Sequence, residues 1–468
     1  MTNIIKIQHS SGCRVERAYI YEVIFKRRLG LEVLLEEANS ATGELIVSRP
    51  GYNGAINFKD DVFSSGEDFV YNDSERVFSN FVEKNIEGGV RAYLNKESSI
   101  FVHGKTSKKP IEQRDDAIDI NFDIFGPAFL MLARIEENGV SNEKNRGRFE
   151  YSQSFFAKKG LIHRPVVDEY VSIIKFAIDR LWPDLFSDND SRHCSLKLSH
   201  DVDWPLSSLE PRRAAIRGIG ADIIRHHDYA LAAKKALALT LPKKLSTKID
   251  PYNTFDFIMT ESERRGFTST FNFMASTQKN TLDCDYYLDS PFVRGLLLEV
   301  VKRGHEIGFH PGYDTFLDDK LLGEEYERLV KACRSLGIER KIISGRQHFL
   351  RWQATSTWKS WDDLGLQYDS SVGFAEHIGF RSHCTFAYPA FDIESRKQLN
   401  LIEYPLMVMD TTLFSYMQLS EENIIEEVLK LFETVKFYGG DFSLLWHNTG
   451  LVTKSQRRIY KSILDGLC

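Results

Sequence analysis

Carboxylates, imidazoles and a guanidinium recur through the C-terminal part of this sequence, each at the end of a short stretch of strand-forming residues. Such groups can bind metal ions, and they can accept or donate protons during a reaction. The residues concerned are Asp201, Asp203, His310, Asp314, Arg346, His348, Asp369, Asp410 and His447. Framework residues would scatter over both ends of the strands, so the pattern predicts one catalytic or binding cluster.

The elements that carry these residues are short β-like runs alternating with amphipathic helices. This alternation predicts parallel βα units, and therefore an α/β fold. In βα barrels the catalytic face is at the carboxyl ends of the strands, so the polar side chains should converge there. Seven strands, enough to close or nearly close a barrel, are predicted at Ser195–His200, Phe267–Met274, His305–His310, Lys341–His348, Leu366–Ser371, Asn400–Met409 and Phe442–His447.

The length of 468 residues exceeds one ordinary domain of about 100–200 residues, so at least two domains are expected. Residues 191–468 are predicted to form the barrel, and residues 1–190 a smaller mixed α+β accessory domain. Helices are predicted in the N-terminal part at Pro127–Glu137 and Val167–Leu181. The acids and bases of this part are scattered, so we expect it to be structural or to orient substrate.

Composition excludes several classes of protein. The net charge of −6 provides no overall attraction to nucleic acid or to anionic membranes, so any such attraction must be local. No signal peptide and no run of about 20 apolar residues is evident, which argues against a membrane span. The cysteines lie far apart, which favours a reducing compartment and a cytoplasmic protein. They are Cys13, Cys194, Cys284, Cys333, Cys384 and Cys468.

Four short motifs follow one another between about residue 195 and the C-terminus. They are S-H-D-V-D at Ser199–Asp203, G-H-E-I-G-F-H at Gly304–His310, G-R-Q-H-F at Gly345–Phe349 and L-L-W-H-N at Leu444–Asn448. In this order they resemble the motifs of the polysaccharide deacetylase family with NodB homology, also called carbohydrate esterase family four. The resemblance implies a seven-stranded (β/α) barrel. It also implies an enzyme that removes an N-acyl group from an amino sugar, with acetyl as the favoured acyl group.

The resemblance also implies one divalent metal ion, most simply zinc, with Asp203 and His310 as two of its ligands. The family's second histidine, four residues after the first, is replaced here by Asp314. The third ligand is therefore either His348, at the end of the neighbouring strand, or Asp314. We favour His348, because Pro311-Gly312 predicts a turn that takes Asp314 off the face that i, i+4 ligation needs.

Catalytic roles follow from the same resemblance. Asp201 is expected to act as the general base and Asp203 as the metal ligand, although Val202 separates the family's tight aspartate pair and the two roles could be exchanged. Arg346 is expected to hold Asp201 in place. His447 is expected to protonate the leaving amine.

Two further residues are expected to support the reaction. The backbone N–H of Phe349 matches the family's aromatic position and would bind the oxyanion. Asp410 would orient His447 or Arg346, or else is a solvated loop carboxylate. Structural rather than catalytic roles are predicted for Asp369, His200 and His305.

A basic insertion interrupts the predicted barrel at residues 206–250. Between Arg212 and Lys248 it contains nine lysines or arginines and two aspartates, and Ala214–Leu241 has helical composition. It is either a solvated insertion or a surface that contacts a membrane or phosphate. A phosphate-bearing substrate would be a nucleotide- or lipid-linked sugar, attracted by Arg212, Arg213, Arg217, Arg225, Lys234 and Lys235.

Two other functions remain open from the sequence. The chain could be a metal-dependent hydrolase of another amide or of a formamide. It could also be a carbohydrate-binding protein that has lost catalysis, as the altered motif positions Val202, Asp314 and His348 would allow.

Overall fold

A computed structural model of the chain shows two β-sheets, one from each half, with helices on their faces. The fold is mixed α/β, as predicted. None of the helices in the described part of the chain combines the length and apolar character that a membrane span requires. The residues described are 3–37, 44–72, 78–104, 108–140, 146–186, 193–210, 212–224, 227–276, 282–283 and 286–468.

The first sheet is mixed and contains residues 4–123. Its strands are β1 (Ile4–His9), β2 (Glu32–Glu37), β3 (Glu44–Ser48), β4 (Ala55–Lys59), β5 (Phe81–Asn85), β6 (Ser99–His103), β7 (Ile111–Gln113) and β8 (Ala117–Asp123). Their order is β2-β1-β3-β4-β8-β6-β5, with β7 beside β8. Alternate residues of β1 are buried, so Ile5 and Ile7 face the core and their neighbours face the other side.

The helices of this half pack their apolar stripes on the sheet. They are α1 (Arg14–Tyr21), α2 (Asp61–Ser64), α3 (Glu67–Asn72), α4 (Phe125–Leu132), α5 (Phe155–Lys158) and α6 (Val166–Leu181). The long helix α6 buries Tyr170, Ile174 and Ala177 at helical spacing, and it starts one residue before its predicted position. The predicted helix Pro127–Glu137 is instead α4, which ends early because Arg134 adopts the left-handed conformation, with a φ of 56°.

The second sheet is parallel except at one hairpin. Its strands are β9 (Ser195–Val202), β10 (Ser269–Met274), β11 (Glu306–His310), β12 (Ser344–Gly345), β13 (Tyr368–Asp369), β14 (Tyr388–Asp392), β15 (Lys397–Glu403), β16 (Val408–Met409) and β17 (Asp441–Leu445). Their order is β14-β15-β13-β12-β11-β10-β9-β17-β16, and only β14 and β15 are antiparallel.

A closed seven-stranded barrel is not confirmed, because the described hydrogen-bonded ladder is an open, curled sheet. The predicted sixth strand, Asn400–Met409, is broken into β15, which pairs with β13, and β16, which pairs with β17. The strands β15 and β16 lie at opposite edges of the parallel region. The segment between Glu403 and Val408 therefore connects these two edges, which are not paired with each other by backbone hydrogen bonds. The antiparallel strand β14 was not predicted.

Two predicted strands are much shorter than expected, and one of them, Leu366–Ser371, contributes only β13. Lys341–His348 contributes only β12, where a side chain at Gly345 would lie 2.1 Å from the carbonyl oxygen of Phe309. This close approach requires glycine. The chain then leaves the sheet, so His348 lies in a 3₁₀ turn and not at a strand end.

Helices flank the second sheet between its strands. They are α7 (Arg212–Ile224), α8 (Tyr229–Thr240), α9 (Lys243–Ile249), α10 (Phe255–Glu263), α11 (Pro291–Lys302), α12 (Asp319–Ser335), α13 (Thr357–Asp363), α14 (Glu421–Tyr438) and α15 (Lys454–Gly466). The first three form the insertion predicted at 206–250. Helix α11 begins at its first-turn proline, where the Ser290 hydroxyl caps it.

The two halves share one hydrophobic core and a buried polar interface. Glu137 accepts hydrogen bonds from Arg134, at 2.7 Å, and from Arg381 Nε, at 3.0 Å, and all three side chains are buried. Asp168 accepts hydrogen bonds from the backbone and hydroxyl of Thr385. Both Arg381 and Thr385 precede β14, so this hairpin region is one attachment of the N-terminal half.

The buried interface yields a prediction about stability. Replacing Glu137 with Ala leaves Arg134 and Arg381 buried without their counter-charge, and breaking a buried ion pair in this way costs about 3–5 kcal/mol. Urea unfolding followed by circular dichroism measures the loss. The matched control is Lys359→Ala, which removes the exposed ion pair with Asp363 and should leave the stability nearly unchanged. Equal losses for the two variants would show that the interface ion pairs do not hold the halves together.

Candidate metal centre and active site

A cavity of about 190 Å³ opens at the carboxyl ends of the parallel strands. Its wall contains Asp201, Asp203, His310, His348 and His447, which come from four separate stretches of the chain. The cavity also reaches residues of the turn after β12 and of the segment after β16. The structure thus brings most of the sequence-predicted polar residues to one place.

Three donor groups in this cavity are close enough to hold one ion. Asp203 Oδ1 lies 3.1 Å from His310 Nε2 and 3.9 Å from His348 Nε2. The three donor atoms all lie within 4.8 Å of one another. Ligand atoms around a tetrahedral zinc ion are about 3.3 Å apart, so the observed spacing is near that of a zinc site.

Hydrogen bonds orient both imidazoles toward the shared position. His310 Nδ1 lies 2.7 Å from the backbone oxygen of Arg346, and His348 Nδ1 lies 2.8 Å from Asp283 Oδ1. An Nδ1–H donated to an oxygen leaves the Nε2 lone pair available, which is the arrangement of metal-binding histidines. The donor set of one carboxylate and two imidazoles therefore fits a divalent ion such as zinc.

Asp314 is placed away from this group. It lies in the 3₁₀ turn Tyr313–Thr315, its side chain is exposed, and it is not among the clustered donors. The turn follows Pro311-Gly312, where the sequence predicts one. The geometry thus favours His348 over Asp314 as the third ligand.

Asp201 is buried beside the three donor groups, and two other side chains fix the position of its carboxylate. Its Oδ1 accepts hydrogen bonds from Arg346 Nη1 at 3.0 Å and from Asn272 Nδ2 at 2.7 Å. Its Oδ2 faces His310 Nε2 at 3.9 Å. Burial alone would raise the pKa of Asp201, but the positive charges of Arg346, His310 and His447 together outweigh burial and hold the pKa below its usual value. Asp201 is therefore a carboxylate.

His447, which follows β17, forms a pair with Asp410, which follows the neighbouring strand β16. His447 Nδ1 lies 2.6 Å from Asp410 Oδ1, and Asp410 Oδ2 accepts the backbone N–H of His447 at 3.1 Å. The imidazole Nε2 lies 3.6 Å from Asp203 Oδ2. Burial lowers the pKa of His447, but the charges of Asp410 and Asp203 outweigh this effect and raise it to about 10. Asp410 is buried and contacts His447, not Arg346.

The turn after β12 has a strained backbone next to the donors. Phe349 and Leu350 adopt φ values of 58° and 54°, in the left-handed region that non-glycine residues rarely occupy. Such strain is characteristic of functional sites. Both residues line the cavity, so the backbone of Phe349 is near the reacting groups.

Three residues that sequence reasoning missed complete the site. Asp283 orients His348 and accepts the backbone N–H of Tyr313 at 2.9 Å. It lies in a loop whose sequence gives no signal. Asn272 could have been noticed, because it is a buried amide between two buried phenylalanines of β10. Arg148 comes from the N-terminal half, lines the cavity and donates to the Phe349 carbonyl oxygen at 3.2 Å.

The residues predicted to be structural lie in the framework. His200 Nδ1 lies 2.6 Å from the backbone oxygen of Trp446, and His305 Nδ1 accepts the backbone N–H of Ser269. Burial raises the pKa of Asp369 to about 6, and its carboxylate accepts a hydrogen bond from the Ser371 hydroxyl. These three side chains do not line the cavity described above.

The geometry predicts which substitutions remove a metal ion. His310→Ala and His348→Ala should each abolish stoichiometric zinc binding, whereas Asp314→Ala should leave it unchanged and serves as the control. Asp283→Asn should weaken zinc affinity by about 10- to 100-fold, because it removes the carboxylate that orients His348. Competition with a chromogenic chelator measures these affinities. Zinc binding that depends on Asp314 and not on His348 would contradict the assignment.

Comparisons with known proteins give weak similarities. Residues 5–183 match the model of a family of unknown function, DUF7033. No curated protein matches the chain.

Three solved structures are similar at low identity. A putative polysaccharide deacetylase from Mycobacterium smegmatis has 14% identity, a TM-score of 0.40, and coverage of 60% of this chain and 86% of its own. Puue allantoinase has 12% identity and a TM-score of 0.37, and the match covers 59% of this chain and 85% of that chain. A probable polysaccharide deacetylase from Pseudomonas aeruginosa PAO1 has 14% identity and a TM-score of 0.35, and the match covers 58% of this chain and 84% of that chain. At these TM-scores the similarities do not indicate a function for this chain.

Proposed function

We propose that this chain is a metal-dependent hydrolase that removes an N-acyl group from an amino sugar, with acetyl as the favoured acyl group. The observation that carries the proposal is the grouping of Asp203, His310 and His348 beside a separate carboxylate and a separate imidazole in one cavity. Hydrolysis of an amide needs an activated water, a proton acceptor and a proton donor. The cavity contains a candidate for each.

The residues that would hold one divalent ion, most simply zinc, are Asp203, His310 and His348. When bound, such an ion lowers the pKa of a coordinated water and polarises the amide carbonyl. Asp283 and the Arg346 carbonyl fix the two imidazoles by their Nδ1 atoms. The chain itself thus provides the orientation that a three-ligand site with an open position needs.

Asp201 is placed to take the proton of the attacking water. Arg346 and Asn272 engage its Oδ1, and its Oδ2 is the atom that faces the ligand group. The lowered pKa keeps the group ionised and ready to accept a proton. Arg346 therefore acts as a positioning residue for Asp201.

His447 is placed to donate a proton to the leaving amine. Its Nδ1 is occupied by Asp410, so the Nε2–H points toward the cavity. The raised pKa keeps this imidazole protonated, and a cation held by Asp203 would lower that pKa toward neutrality. The proton acceptor and the proton donor are thus two separate side chains of the same cavity.

The cavity size restricts what the enzyme encloses. At about 190 Å³ it is smaller than the 300–1,000 Å³ of pockets that surround a whole drug-sized ligand. It therefore suits an acyl group and part of one sugar, with the rest of the substrate outside.

The Phe349 backbone N–H is proposed as a donor to the oxyanion. We also propose a cytoplasmic site of action, where the sugar would be linked to a nucleotide or a lipid.

Assays of acyl release test the proposal. Purified protein loaded with zinc should release acetate from N-acetyl amino sugars, free or linked to a nucleotide or lipid. Formate release from formamides, or hydrolysis confined to non-sugar amides, would instead favour another amide hydrolase. Full zinc binding without hydrolysis of any amide would favour a binding protein without catalysis.

Two substitutions test the assigned roles. Asp201→Asn and His447→Ala should retain zinc and reduce kcat by about 10²–10⁴-fold, because general acid and base groups contribute that much. Zinc content and kcat are measured on the same preparations. The control is His305→Asn, at a framework position. If Asp201→Asn loses zinc while Asp203→Asn retains it, the roles of the two aspartates are reversed.

A further inference from the structure

The helical insertion, defined here as α7, α8 and α9 with the described residues that connect them, carries an unusual concentration of exposed apolar side chains. The described chain exposes nineteen large apolar side chains, and eight of them lie here. Ile216, Ile224 and Tyr229 are 65%, 74% and 65% exposed. The other five are Ile223, Leu237, Leu241, Leu245 and Ile249. A cluster of this kind marks an interaction surface.

The same surface is positively charged. Its exposed cations are Arg212, Arg213, Arg217, Lys234, Lys243, Lys244 and Lys248. Both described acids of the insertion are engaged: Asp222 is buried against Lys235 at 2.8 Å, and Asp228 caps α8 through the Leu231 N–H. Lys235, predicted to attract phosphate, is therefore already paired. Arg225 lies outside the described residues.

Apolar and basic side chains share one face of α7 instead of occupying opposite faces. At 100° per residue, Ile216, Ile223 and Ile224 fall within the same arc as Arg213 and Arg217. Ala215 and Asp222 form the buried side. A face of this kind suits a boundary where apolar groups leave water while the cations stay at a layer of anions.

We propose that the helical insertion docks on the surface of an anionic lipid bilayer. Isoleucine and leucine side chains would enter the boundary between headgroups and acyl chains, and the arginines and lysines would contact lipid phosphates. A second copy of the chain is a poorer occupant, because a two-fold contact would place this basic surface against itself. Nucleic acid would explain the cations but not the exposed isoleucines and leucines.

The insertion is attached to the rim of the catalytic cavity. Asp250, just after α9, accepts the backbone N–H groups of Ser207 and Ser208 at 2.8 and 3.1 Å. Asn448, the neighbour of His447, donates to the backbone oxygens of Trp204 and Tyr252. Docking would therefore bring the cavity near the lipid headgroups. If the proposed hydrolase function holds, a lipid-linked amino sugar is its favoured substrate.

Flotation of the full-length protein with vesicles tests the docking without any substrate. The protein should float with an equal mixture of phosphatidylcholine and phosphatidylglycerol, but not with phosphatidylcholine alone. Binding should fall at 1 M salt, where the Debye length is about 3 Å. Failure of flotation would overturn the docking and leave the hydrolase proposal untouched, and absence of amide hydrolysis would leave the docking result standing.

Two triple variants separate the contributions of charge and apolar contact. Each cation near an anionic bilayer contributes about a five-fold factor, so Arg212→Gln, Arg213→Gln and Arg217→Gln together should weaken binding on the order of a hundred-fold. The charge-matched control is Lys302→Gln, Lys320→Gln and Lys331→Gln, on α11 and α12, which should bind as the unaltered protein does.

Ile216→Ser, Ile224→Ser and Leu245→Ser should likewise reduce flotation, whereas Tyr287→Ser, Leu298→Ser and Phe437→Ser, exposed elsewhere, should not. Circular dichroism confirms that each variant is folded. Equal flotation of insertion and control variants would overturn the proposal. So would a dimer in solution that only the insertion serines convert to a monomer, with no vesicle binding, because the surface would then join two copies of the chain.

Discussion

Two carboxylates at the end of one strand set the main electrostatic constraint of the site. Asp201 and Asp203 are separated by one residue, and Asp201 is fully buried, so their negative charges must be balanced nearby. Arg346 balances Asp201, whereas the imidazoles of His310 and His348 gather around Asp203. This division makes one carboxylate a fixed anion suited to accept a proton, and leaves the other with donors that fit a cation.

The same kind of hydrogen bond orients each of the three cavity histidines. In every case an oxygen binds Nδ1 and Nε2 faces inward: the Arg346 carbonyl for His310, Asp283 for His348 and Asp410 for His447. Two of these oxygens belong to buried carboxylates, Asp283 and Asp410, so the Nδ1 partner alone does not separate a ligand from a proton donor. The Nε2 positions differ: those of His310 and His348 face Asp203 Oδ1, whereas that of His447 faces Asp203 Oδ2.

Sequence spacing predicted the parallel βα pattern and the convergence of residues at strand ends, because both depend on local periodicity and on a general rule for such sheets. The long-range pairs could not be predicted. Asp283 reaches His348 across 65 residues, and Arg148 reaches Phe349 across 201. The shortness of β12 was also not predicted, since its end depends on how closely Gly345 approaches Phe309. By contrast, Pro405 is a local signal for the break in Asn400–Met409, because it lies between β15 and β16, whereas the pairing partners of the two pieces are long-range.

The N-terminal half is part of the site as well as a neighbour of it. Arg148 donates to the carbonyl of Phe349, the residue with left-handed backbone beside His348, and lies 3.6 Å from Glu376 on the other side. The guanidinium thus ties the strained turn to the segment that leads into the β14 hairpin. That hairpin is in turn attached to the N-terminal core, where the Tyr19 hydroxyl donates to the Pro389 carbonyl. Because strained backbone persists only where its surroundings hold it, the first sheet and its helices help to fix the geometry of the cavity.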